Sequence, residues 1–157
     1  MFNLSNLEKN DIFIDIPESD FNAIAFHVIH RCRSSRKEDI FKGIVAREQL
    51  KSTAIGNNTA IPHCRIDGLD CFYVKFVLFK ERLGYRAPDG EEIRYVFFVA
   101  GPSDDQCYYL NILAHIAKVM KNDSLRKELR QAANSKAVCQ LFHKYAQEAL
   151  EEVHIWK

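Results

Sequence analysis

Two stretches of this 157-residue chain constrain its fold more than any other feature. Cys71–Lys80 reads Cys-Phe-Tyr-Val-Lys-Phe-Val-Leu-Phe-Lys, and Glu92–Ala100 reads Glu-Ile-Arg-Tyr-Val-Phe-Phe-Val-Ala. Both are rich in Phe, Tyr, Val and Leu, the residues that fit a pleated surface. A strand with one wet face alternates apolar and polar positions, whereas a near-continuous apolar run belongs to a strand covered on both faces. Ala87-Pro-Asp-Gly90 lies between them, and its Asp-Gly is a turn signal. The two runs are therefore predicted as a central, antiparallel pair that needs helices above and below.

The rest of the chain supplies those helices. Asp11–Ile16 alternates apolar and acidic residues with period two, a short strand stopped by Pro17. With Ser19 as N-cap, Phe21, Ile24, Ala25, Val28, Ile29 and Cys32 form one apolar face of a helix to about Arg33. A second helix is predicted from Ser35 or Arg36 to Leu50, with Ile40, Phe41, Ile44, Val45 and Leu50 turned inward and Gly43 as its weak point. Gly56 and two asparagines favour a turn into a short strand ending at Pro62, which leaves His63 where strand gives way to loop. From Asp104 onward the pattern is helical. Leu110, Leu113, Ala114, Ala117 and Met120 make an inner stripe, Asp123 opens another helix, and Asn134-Ser135 caps a third that continues toward the terminus. This order of elements predicts one α/β layered domain whose apolar strands are covered on both faces.

Composition excludes several function classes. Lys and Arg number 22 against 21 Asp and Glu, a formal charge of +1 that makes no electrostatic case for nucleic acid or an anionic membrane surface. The longest apolar stretches, such as Phe76–Phe79, fall far short of the roughly 20 residues a bilayer span requires. No basic segment followed by an apolar run opens the chain, so a cytoplasmic location without membrane insertion is expected. The five cysteines (Cys32, Cys64, Cys71, Cys107 and Cys139) are odd in number and form no C-x-x-C pair, and are read as buried thiols.

Of the six histidines, His27 and His30 lie on a predicted helix and His143 and His154 in the charged C-terminal one, where satisfied or solvated side chains are expected. His63 and Cys64 are adjacent, so on extended backbone their side chains point apart. No set of three or four ligands converges in the sequence, and neither a metal nor a cofactor is predicted.

The setting of His63 is more specific. Ala46-Arg-Glu-Gln-Leu-Lys-Ser-Thr-Ala-Ile-Gly-Asn-Asn-Thr-Ala-Ile-Pro-His63 resembles the pattern of Arg-Glu, Ser-Thr, Ile-Gly and terminal Ala-Ile-Pro-His found in type-2 enzyme IIA domains of the bacterial phosphotransferase system, of mannitol/fructose and nitrogen-regulatory kind. Ala87–Pro102 is similar to that family's Asp-Gly hairpin leading into an apolar strand, and the helices Leu110–Met120 and Asp123–Ala132 follow in its order. The resemblance spans roughly Leu4 to Phe142 and implies a three-layer α/β/α sandwich with a mixed central sheet flanked by helices. On this reading residues 1–144 are the IIA-like domain and residues 145–157 a C-terminal helical extension.

The resemblance further implies that His63 accepts a phosphoryl group, attacking through Nε2 while a backbone carbonyl holds Nδ1. The donor would be a phosphohistidine carrier, HPr or its nitrogen-branch relative. Arg47, sixteen residues before His63, matches the family's arginine and would compensate phosphate charge. Ser52 and Thr53 match its Ser-Thr pair, as phosphate donors or as turn and capping residues, and Glu48 would structure the motif. One position departs from the pattern. Where the family usually carries a second histidine, 46 residues after the first, this chain has Tyr109, whose hydroxyl can donate but adds no positive charge; His115 falls on another face. Three readings follow: a nitrogen-type regulatory phosphocarrier, favoured for a free-standing domain; a fructose- or mannitol-specific component passing phosphate to a IIB domain; or a binding module that has lost efficient transfer. Transporters and sensor kinases are the target classes implied for the first.

Overall fold

The computed structural model describes residues 2–155, with side chains through residue 149. The end of the predicted C-terminal extension, residues 156 and 157, lies outside them. The two apolar runs form the middle of one six-stranded sheet as β5 (Tyr73–Leu78) and β8 (Tyr95–Pro102), antiparallel, with Phe76 opposite Phe97 and Val77 opposite Val96. β1 (Ile12–Ile14) adds to β5 in parallel. On its other edge β8 carries two parallel strands in succession, β3 (Thr59–Ala60) and β4 (His63–Ile66). The outermost strand, β2 (Ala54–Gly56), returns antiparallel to β3 through Asn57 and Asn58, whose φ angles of 54° and 59° suit the primed hairpin turn. A separate small hairpin, β6 (Tyr85–Arg86) with β7 (Glu92–Ile93), bridges the two central strands.

Helices cover both faces. α1 (Phe21–Ile29) and α2 (Lys37–Leu50) place Ile24, Val28, Ile40 and Ile44 on Val77, Phe79, Val96 and Phe98. α3 (Gln106–Val119), α4 (Asp123–Leu129) and α5 (Ser135–Ile155) place Ile112, Ile116, Leu125 and Phe142 on Phe76, Phe97 and Val99. Phe76, Phe97 and Phe142 meet ring to ring at centroid distances of 4.6, 4.9 and 5.8 Å. The result is the expected α/β/α sandwich with a mixed sheet, since neighbouring strands pair in both senses.

Several local expectations change. His63 opens β4 and does not end a strand: Pro62 has no N–H to give a ladder, but the register resumes unshifted, with Ala60 opposite Val96 and His63 opposite Val99. The first helix is capped by Asp20, whose carboxylate accepts from Ala23 N–H, and not by Ser19. It ends at Ile29, because tight bonds from Arg31 N–H to Val28 and Cys32 N–H to Ile29 close the last turn. In α3 the buried face is Tyr109, Ile112, Ile116 and Val119, with Met120 at the cap, and Leu110 is 53% exposed. Leu50, expected in the core, is 84% exposed. Only Cys32 and Cys64 are buried thiols; Cys71 and Cys107 are exposed and Cys139 is intermediate.

Candidate functional site

The site begins with the break at Ile61-Pro62. Residues 61 and 62 lie outside the paired ladder, and the Ile61 carbonyl turns to the ring of His63, 2.6 Å from Nδ1. A carbonyl oxygen only accepts, so Nδ1 carries the proton and donates it. Nε2 keeps its lone pair and has no hydrogen-bond partner among the described residues. Partial burial is the main cause that lowers the His63 pKa below its ordinary 6.5; the Ile61 bond opposes it, Arg47 lowers it further and Glu48 raises it. The ring is thus neutral at neutral pH, with a nucleophilic nitrogen. Strand alternation sends the next side chain the other way: Cys64 is buried against α2, its thiol 3.7 Å from the Ile40 carbonyl and pushed up to about 12 by burial.

His63 lines an open cavity of about 650 Å³ between the end of α2, β4 and the start of α3. Gly43, the weak point of the predicted helix, is what allows this arrangement. A Cβ there would lie 3.1 Å from both Cys64 Sγ and Ile66 Cδ1, so the glycine lets α2 press onto β4 and brings its last turn to His63. Arg47 lies in that turn, lines the cavity and donates to the Lys51 carbonyl at 2.8 Å, as suits a cation at a helix C-terminus. Tyr109, 4% exposed, meets the His63 ring edge-on at a centroid distance of 5.9 Å. Leu50 and Leu110 form an exposed apolar rim.

Arg65 also lines the cavity, its guanidinium carbon 5.7 Å from the centre of the Tyr109 ring. Sequence reasoning missed it. The available signal was spacing, since residues i and i+2 share a strand face, but it could be used only by placing His63 inside a strand and not at its end. No Asp or Glu lines this cavity, and neither Arg47 nor Arg65 forms an ion pair among the described residues.

Ser52 and Thr53 lie elsewhere. Thr53 is buried and gives its N–H and its hydroxyl to the Glu48 carboxylate at 3.2 and 2.7 Å, while Ser52 Oγ accepts from Ala54 N–H. Neither lines the His63 cavity; Ser52 borders a separate hollow beside Tyr85. The two form the turn that joins α2 to β2, with Glu48 as its latch. His115 is also remote from the cavity, bonded to the N-terminal segment.

The family model described as the phosphoenolpyruvate-dependent sugar phosphotransferase system, EIIA 2, matches residues 5–145. A nitrogen regulatory protein of Pseudomonas aeruginosa is 32% identical over 104 residues, which cover 66% of this chain and 68% of that protein. One of Bradyrhizobium diazoefficiens is 27% identical over 99 residues, 63% of this chain and 65% of that protein, slightly under two thirds of its length. The crystal structure of nitrogen regulatory protein IIA-Ntr from Neisseria meningitidis superposes with a TM-score of 0.78 at 24% identity, covering 88% of this chain and 97% of that one, and so shares the fold. With its fold, its Ala-Ile-Pro-His segment and nine-tenths of its length matched, the chain belongs to the EIIA 2 family of the phosphoenolpyruvate-dependent sugar phosphotransferase system.

Proposed function

We propose that this protein is a cytoplasmic phosphocarrier that takes a phosphoryl group on His63 Nε2 from the phosphohistidine of an HPr-like carrier, and acts as a nitrogen-type regulator. The observation that carries the reading is the Nδ1–H bond to Ile61, which leaves Nε2 open in a cavity holding two arginines and no carboxylate. In the step, the N–P bond of the donor breaks and its electron pair returns to the donor imidazole. The His63 Nε2 lone pair forms the new N–P bond, and the proton stays on Nδ1, hydrogen-bonded to the Ile61 carbonyl, which stabilises the positive charge the ring takes up. Such a transfer needs alignment and charge compensation more than covalent help. The exposed Leu50 and Leu110 offer apolar surface on which a protein donor can dock.

Regulation is favoured over sugar transport because most of the curated relatives are nitrogen regulatory proteins, with a fructose-specific EIIABC component of Bacillus subtilis also among them. A phosphoryl group adds roughly −1.5 to −2 charges, taking a chain of formal charge +1 to about −1, so the two forms would present different surfaces to a target such as a transporter or sensor kinase. Incubation with enzyme I, a carrier protein and labelled phosphoenolpyruvate gives an acid-labile label on the wild type and none on His63→Ala. No label on the wild type, or equal label on His63→Ala, overturns the proposal and leaves the binding-module reading.

A further inference from the structure

We infer that Arg65 is the second cation of the phosphoryl site and that Tyr109 acts as its platform, through the ring face and not the hydroxyl; this rests on the phosphocarrier reading of His63. Three observations carry it. His63 and Arg65 stand two residues apart on β4 and line one cavity, so an anion on Nε2 lies on the face that Arg65 occupies. The Arg65 guanidinium sits 5.7 Å from the Tyr109 ring centre, within the roughly 6 Å range of a cation–π contact. That ring is buried and also touches His63, so one fixed aromatic group sets the position of the cation relative to the nucleophile.

The chemistry assigns the arginine its task. In phosphoryl transfer the charge spreads over three equatorial oxygens, and Arg47 approaches them from a helix while Arg65 approaches from a strand. Tyr109 cannot supply that charge itself, because a phenol has no cationic form; burial raises its pKa and so keeps it from turning anionic beside the phosphoryl group. A planar guanidinium, by contrast, can rest on a ring face and still present donors to two oxygens. The tyrosine at this position thus carries positive charge to the site by holding Arg65.

The test measures transfer rates from the phosphorylated carrier to wild type, Arg65→Gln, Arg65→Lys, Tyr109→Phe and Tyr109→Leu. Removing a buried donor to a transition-state oxyanion costs about 100- to 1000-fold; for the solvent-exposed Arg65, Arg65→Gln is expected to be about ten- to a hundredfold slower, with partial recovery in Arg65→Lys. Tyr109→Phe, which keeps the ring, stays within about twofold of wild type. Tyr109→Leu slows the reaction, and combining it with Arg65→Gln adds little further loss. A ³¹P titration of phospho-His63 moves to higher pH in Arg65→Gln, since a lost cation disfavours the phosphoryl dianion, and stays in place in Tyr109→Phe. An Arg65→Gln rate equal to wild type, or a Tyr109→Phe rate as low as Arg65→Gln, overturns the inference while leaving His63 as acceptor. Absence of label on the wild type overturns both.

Discussion

His63 and His115 are both half-buried, both have their pKa lowered chiefly by burial, and both bond a ring nitrogen to the backbone. They differ in which nitrogen the backbone takes. At His63 the Ile61 carbonyl accepts from Nδ1, whereas at His115 Nε2 accepts the Leu4 N–H at 3.0 Å, so its proton also lies on Nδ1. The two rings share a tautomer with opposite consequences. The free lone pair of His63 faces a cavity with two arginines. That of His115 is consumed in tying down the 3-10 turn Leu4–Asn6, where Leu4 is fully buried and Phe2 packs edge-on at 6.2 Å. Burial and a shifted pKa are thus common to both, and the direction of the hydrogen bond is what separates a ring with an open nitrogen from a structural tie.

Cations beside each ring offer the strongest way to break this contrast. Arg47→Gln should slow transfer to His63 about a hundredfold, the scale of removing one donor to a transition-state oxyanion. Lys118→Gln, which removes a charge that lowers the His115 pKa, should leave that rate unchanged; slowing by both equally would erase the distinction. On the structural side, His115→Ala leaves the Leu4 N–H without its acceptor and should cost about 1–3 kcal/mol in urea unfolding, with labelling of His63 intact. His115→Gln, which restores an acceptor, should regain part of that loss.

The smallest effect is in pH. Both histidines have a lower pKa folded than the ordinary 6.5, so below that value the unfolded chain binds more protons. Their stabilising contribution is complete above about pH 6.5 and is lost as pH falls toward the folded pKa values. The thermal midpoint should decline in that window before the carboxylates titrate, and decline less in His115→Gln. A midpoint that rises on acidification would contradict the neutral assignment of both rings.

The central strands were legible because a run such as Val96-Phe97-Phe98-Val99 has no wet face to offer, and His63 because its neighbours form a pattern. The phase of α3 was not. Leu110 and Leu113 look like core residues, but the cavity beside His63 has an apolar rim, and a helix lining it carries apolar side chains on two faces. Leu50 misled for the same reason. Arg65 stayed hidden because Pro62 reads as a strand end, and only the sheet shows that the register passes through it. The role of Gly43 rests on a contact between elements, which no local pattern encodes; the carbonyl that holds Nδ1 was implied by the resemblance, but that it is the one of Ile61, two residues away, shows only in the structure.

Phosphoryl transfer at this site depends on His63 Nε2 being the open nitrogen. ¹⁵N-labelled protein, phosphorylated through the carrier and read by ¹⁵N–³¹P coupling, locates the new bond directly. The geometry predicts phosphorus on Nε2 of His63, with Nδ1 still protonated and His115 unchanged. Phosphorus on Nδ1, or on any other residue, would contradict it.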